Sequence, residues 1–287
     1  MQVPRYWSKA TAEETSAQGR KVRFTCWRSS NISQDDACQS ALAAARRVVD
    51  AMLHGRKRDR YAYGASPLRE EVTNRVTDDQ GQLVAVVVRN LYGSLVLNVE
   101  RVMFVDIDFP EAPAGAGPGF FARLFGRAQP AAEPSAEQKA LASVEQFVAA
   151  HPGWNMRLYR TFAGLRGLVT HDLFDPASQT SLEILQRLGC DPLYVRLCKA
   201  QECFRARLTP KPWRCGHYAN TLRYPIEDPG AARQFEQWKA KYEDGQRSFA
   251  TCRFLSTVGS GVIHPEVARI VELHDFVTRC NEPLALA

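Results

Sequence analysis

Apolar positions along the chain fall into short strand-like runs, separated by longer stretches of helical period with clear punctuation. Leu83–Val88 is a continuous apolar run, the pattern of a strand covered on both faces. Asn90-Leu91-Tyr92-Gly93 turns it, and Leu95–Leu97 and then Val102–Val105 return, which predicts that the strand beginning at Val102 is central in a sheet. Met156–Phe162 and Leu165–His171 are two strand-like runs hinged at Ala163-Gly164. Leu193–Cys198 and Phe204–Thr209 predict two further strands, and Lys21–Trp27 predicts one near the start. Helices are marked at their ends. Ser33 caps the first, Asp36 sits at its capping-box position, and Gly55 follows it. Ser135 and Gln138 open a second, which runs to Ala150. Others span Asp175-Pro176 to Gly189, Ala231 to Tyr242, and His264-Pro265 to Cys280. The mixture predicts an α+β fold, a central, mostly antiparallel sheet flanked by helices. It divides into an N-terminal strand and helix at 1–80, an α+β core at 81–228, and a helical segment at 229–287. Within the core, residues 112–134 change abruptly to Ala, Pro and Gly and form a flexible insertion, with Phe120–Phe125 as an apolar patch inside it. We read it as a surface insertion before a lid.

At 287 residues the chain can bury a substantial core, as one large domain or two modest ones. No apolar stretch approaches the roughly 20 residues needed to cross a bilayer, and the start, Met1–Trp7, lacks the apolar centre of a secretory signal. The expected location is the cytoplasm, where the eight cysteines stay reduced. The net charge of +6 is concentrated. Arg196, Lys199, Arg205, Arg207, Lys211, Arg214 and Arg223 lie close together with only Glu202 among them, a cluster suited to a polyanion or to a solvated face. Arg56–Arg60 is also basic, but it follows a helix C-terminus, which favours cations without any ligand.

Candidate chemistry begins at Asp106 and Asp108, one residue apart at the end of the run from Arg101 to Pro110. In a strand they project to one side, while Met103, Val105 and Ile107 face a core. Such a pair either holds a hard divalent cation or is a solvated strand end entering the turn at Phe109-Pro110. Gly164 and Gly167 flank Arg166 at a strand-turn-strand junction, which either brings backbone and guanidinium to a phosphate or makes a tight hairpin. His171 follows on the face of Val169. Arg205 and Arg207 share one face of their strand and Phe204, Ala206 and Leu208 the other, with Lys211, Arg214 and the potential stacking surface of Trp213 beyond. Cys198, Cys203, Cys215 and His217 are four soft ligands within twenty positions, which makes a structural Zn²⁺ feasible, although their spacing is not that of a zinc knuckle.

The hydrophobic-Asp-x-Asp run followed by a Gly-x-Arg-Gly-hydrophobic turn resembles the archaeo-eukaryotic primase and primase-polymerase superfamily, across roughly residues 83–228. The resemblance implies a primase-like palm and a metal-dependent nucleotidyltransferase acting on nucleoside triphosphates and single-stranded or primed nucleic acid. Mg²⁺ or Mn²⁺ would sit on Asp106 and Asp108, with Asp228 as the third carboxylate and Glu227 next in line. Arg166 and His171 would lie near the triphosphate. The chain departs from the family pattern where Val169 stands at the histidine position and Ala163 or Thr161 at the serine. The whole chain, notably Asp191–Cys198 and Phe204–Cys215, also resembles a set of bacterial proteins of unknown function. Two alternatives stand beside the enzyme: a non-catalytic nucleotide or nucleic-acid binder of the same fold, and a zinc-stabilised interaction protein.

Overall fold

The computed structural model describes residues 1, 3–55, 68–110 and 134–287; the basic stretch Arg56–Arg60 and the apolar patch Phe120–Phe125 of the insertion lie outside them. In chain order the first elements are β1 (Tyr6–Thr15), β2 (Lys21–Ser30), α1 (Gln34–Leu53), β3 (Glu71–Thr77), β4 (Leu83–Arg89), β5 (Leu95–Val99) and β6 (Phe104–Asp108). Then come α2 (Ala136–Ala149), β7 (Asn155–Thr161), β8 (Gly164–Val169), α3 (Gln179–Arg187), α4 (Pro192–Gln201) and β9 (Phe204–Arg207). The chain closes with α5 (Pro229–Gly245), β10 (Phe249–Ala250), β11 (Cys252–Gly259), α6 (Pro265–Thr278) and β12 (Ala285–Leu286). The fold is α+β with antiparallel main sheets. Among the described residues no helix is long and apolar enough to cross a membrane.

The chain forms two compact units, which run across the sequence segments 1–80, 81–228 and 229–287. One comprises Met1–Glu100, Asp175–Ala177 and Arg196–Arg247; the other comprises Arg101–Phe174, Ser178–Val195 and Ser248–Ala287. In the first unit, β1 and β2 form an antiparallel hairpin. Small residues on α1, including Ala44 and Ala45, let that helix approach Ala12, Val22 and Cys26 of the hairpin closely. The Ser33 hydroxyl accepts from Asp36 N and starts α1, as its sequence indicates. β1 escapes detection because its inward face carries Ala10 and Ala12 rather than large apolar residues, so no period-2 signal arises. The second sheet of this unit runs β3-β4-β5-β9, antiparallel throughout. β4 is buried on both faces, as its apolar run implies.

The second unit is built on an antiparallel sheet in the order β11-β7-β8-β6, with β10 and β12 as a short parallel pair. The Ser135 and Gln138 side chains form a full capping box on α2. The carboxylate strand β6 is at the edge of this sheet, not at a centre, because β5 pairs with β9 in the first unit rather than with β6. The free edge of β6 is met by Asp191 N, which donates to the Asp106 carbonyl at 3.1 Å, and by the Tyr194 hydroxyl, which donates to the Phe104 carbonyl at 2.9 Å. The predicted strand Leu193–Cys198 is helix α4 instead. Asp191 accepts from Leu193 N and Tyr194 N ahead of it, and the buried positions Tyr194, Val195 and Cys198 follow a helical spacing.

Gly164 and Gly167 open space for protein rather than for a ligand. A Cβ at Gly164 would run into the Ile107 carbonyl of the neighbouring strand, and one at Gly167 would lie 2.7 Å from Met156 Sδ and 3.2 Å from Val105 Cβ. Gly164→Ala is therefore expected to destabilise the chain by about 1–3 kcal/mol, the usual cost of overpacking, read as a lowered urea midpoint at unchanged m-value.

Candidate functional site

Asp106 and Asp108 do share one face of β6, with Asp108 exposed and Asp106 partly so, while Val105 and Ile107 are buried on the other. In register, Asp106 stands directly opposite Arg166 and Asp108 opposite Gly164. Asp228 is in the other compact unit, where its Oδ1 accepts from Ala231 N at 2.7 Å and caps α5. Glu227 pairs with Lys9. Among the described residues no three His, Cys, Asp or Glu side chains come together as a metal set. The donors in hand thus do not fit a two-metal centre.

Arg166 is 5 % exposed and its Nη1 lies 3.1 Å from His274 Nε2 on α6. Arginine has no acceptor, so Nε2 accepts and the proton sits on Nδ1, which donates to Asp275 Oδ1 at 2.9 Å. Asp275 also accepts from the Tyr159 hydroxyl at 2.7 Å and from Arg157 Nη2 at 2.6 Å. Arg166, His274, Asp275, Tyr159 and Arg157 form one buried polar chain between sheet and helix. Burial lowers the pKa of His274 to about 4; the Asp275 hydrogen bond opposes this and the Arg166 charge adds to it. Burial alone would raise the Asp275 pKa, but hydrogen bonds from His274 and Tyr159 outweigh it and hold the carboxyl below its ordinary value. His171 accepts from Asn155 N at 3.2 Å through Nδ1 and packs on Trp154, with ring centroids 4.6 Å apart; burial lowers its pKa. It is hydrogen-bonded structure just beyond β8.

The basic strand is β9, and its alternation is as predicted, with Phe204 and Ala206 buried. Arg205, however, is only 11 % exposed, and its Nη2 donates to both oxygens of Glu70, at 2.9 and 3.1 Å. That pairing occupies the guanidinium marked for phosphate. Burial is the largest influence and lowers the Arg205 pKa, but the Glu70 charge and hydrogen bond, together with Cys203 and Cys198, outweigh it and the net shift is upward. Among the described residues no three of the four soft ligands come together. Cys198 is buried on α4, and Cys203 Sγ faces Asn98 Oδ1 at 3.7 Å, its thiol pushed up to about 11 by burial. Cys215 Sγ points to the Pro212 carbonyl, and His217 packs edge-on to Tyr242.

The first unit also exposes aromatic residues. After β9 a 3₁₀ turn, Pro212–Arg214, presents Trp213, whose ring meets Tyr92 edge-on with centroids 5.3 Å apart. Lys211 Nζ lies 5.6 Å from the Trp213 centroid. Tyr92, Trp213 and Tyr218 are 45, 49 and 92 % exposed. Asn220 N donates to the Tyr92 carbonyl and Trp238 Nε1 to that of Tyr218, so backbone contacts hold the aromatic loops together. Trp213 with Lys211 and Arg214 was legible in sequence; Tyr92 and Tyr218 were missed, because a turn tyrosine carries no sign of what the fold brings beside it. No family model matches the chain, and no curated protein or solved structure matches it.

Two measurements follow. Glu70→Gln leaves the Arg205 charge buried without its counter-ion and is expected to cost about 3 kcal/mol in urea unfolding. For His274, the native pKa of about 4 lies below the ordinary 6.5, so the unfolded chain takes up the proton first as pH falls. Stability contributed by this group is present above pH 6.5 and is lost between there and pH 4, at no more than about 1.4 kcal/mol per pH unit. His274→Gln, which keeps an acceptor for Arg166, is expected to be less stable at pH 7 and to show a shallower loss when unfolding is compared at pH 7 and 5.

Proposed function

We propose that this protein binds single-stranded nucleic acid, without catalysis, through the exposed aromatic and basic surface of the first unit. The observation that carries the reading is Trp213, half exposed, held edge-on to Tyr92 with Lys211 over its ring and with Tyr218 exposed on the same set of loops. Exposed aromatic rings offer each base a π-face, and stacking of this kind tolerates any base sequence. Lys211 and Arg214 supply charge for the phosphates. Eight cysteines without a disulfide support a cytoplasmic setting for such a partner. Nucleotidyl transfer, which the primase resemblance implies, stands second: it retains Asp106 and Asp108 on one face, but Asp228 caps α5 and Arg166 is directed at His274.

Fluorescence titration with a labelled single-stranded oligonucleotide tests the first reading. Trp213→Ala is expected to weaken binding by about 1–3 kcal/mol, the ordinary worth of one stacked base. Lys211→Gln is expected to reduce the salt slope by about one. Equal binding by wild type and Trp213→Ala would remove the reading. Mg²⁺-dependent nucleotide incorporation on a primed template, abolished in Asp106→Ala, would put the catalytic reading first.

A further inference from the structure

The first unit contains a second feature that uses none of the aromatic surface residues, a cleft of about 200 Å³. Its lining includes the apolar side chains Leu91, Leu222, Ile226 and Phe235, and the cations lining it are Arg69 and Arg89. Sequence gives no hint of it, since the two sides come from residues 69–91 and 220–236.

The two arginines differ in how their charge is met. Arg89 is 8 % exposed and compensated: Nη2 lies 3.3 Å from Glu243 Oε1, and Nη1 donates to the Gly93 carbonyl. Its Nε lies 3.4 Å from Glu71 Oε2 without the geometry of a hydrogen bond. Arg69 has no such arrangement. Its guanidinium lies 4.6 Å from the Trp27 ring centroid, and among the described residues it pairs with no carboxylate. Its charged neighbour is Arg223, which follows the cleft residue Leu222 and likewise pairs with no described carboxylate. Burial first, and the Arg223 charge second, lower the Arg69 pKa. The positive charge of Arg223 bears on Arg69, and a positive neighbourhood of this kind favours an anion beside Arg69. The other carboxylate lining the cleft, Glu236, is on the exposed side of α5.

We propose that this cleft binds a small organic anion, its phosphate or carboxylate held by Arg69 and its planar or aliphatic body laid against Leu222, Ile226 and Phe235. Apolar side chains beside placed polar groups are the usual setting for a small molecule. The apolar residues favour an anion with an organic body over a bare inorganic ion, and the size of the cleft limits that body to about one ring.

Calorimetric titration of the full chain with phenyl phosphate, benzoate and inorganic phosphate tests this. Saturable binding is expected for phenyl phosphate or benzoate, and whichever binds identifies the head group. Inorganic phosphate is expected to bind at least tenfold more weakly. Arg69→Gln and Arg69→Ala, each checked for an unchanged near-ultraviolet circular dichroism spectrum, are expected to weaken binding tenfold or more. Absence of saturable binding to both organic anions, equal binding of inorganic phosphate, or binding unaffected by both substitutions would overturn the proposal.

Discussion

A buried guanidinium sets the terms for the second unit. Arg166, fixed in β8 opposite Asp106 and covered by α6, must meet its charge and its donors inside the protein, since taking an ion out of water costs several kcal/mol. Neutral His274 accepts from it, Asp275 accepts from His274, and Tyr159 and Arg157 complete the carboxylate's partners. The chain ties β7 and β8 to α6 by directional contacts that an apolar interface would lack. It also explains why His274 stays neutral and why a chemically suggestive histidine–aspartate pair lies in an interior rather than at a mouth.

The same constraint recurs in the first unit with different partners. Arg205 is satisfied by Glu70, and Arg89 by Glu243, Glu71 and the Gly93 carbonyl. Of these, Arg205 was marked in sequence for phosphate, and the fold gives its charge an internal partner instead. Arg69 pairs with no carboxylate among the described residues, and it lines the cleft together with Leu222, Ile226 and Phe235.

Much of the local structure was legible. Ser33 and Ser135 announced their helices, Leu83–Val88 announced a strand buried on both faces, and the hinge at Ala163-Gly164 announced the β7–β8 hairpin. These signals are local: a cap needs its own helix, and period or continuity of apolar residues reports which faces are covered. Leu193–Cys198 is a helix where a strand is expected because a short apolar run fits either period, and the Asp191-Pro192 start decides for helix. The glycines around Arg166 were a real signal with another cause, since close approach by a neighbouring strand and by Met156 requires a missing Cβ as much as a phosphate does.

By itself the chain determined most of its element types and caps, the shared face of Asp106 and Asp108, and the alternation of β9. These follow from backbone geometry over a few residues. Only the tertiary structure decided which strand lies beside β6, that Asp228 caps α5 in another unit, that Arg205 meets Glu70, and that Trp213 meets Tyr92. Each of those outcomes depends on a partner that is distant in sequence, and a charge or a ring carries no mark of the group that will be folded against it.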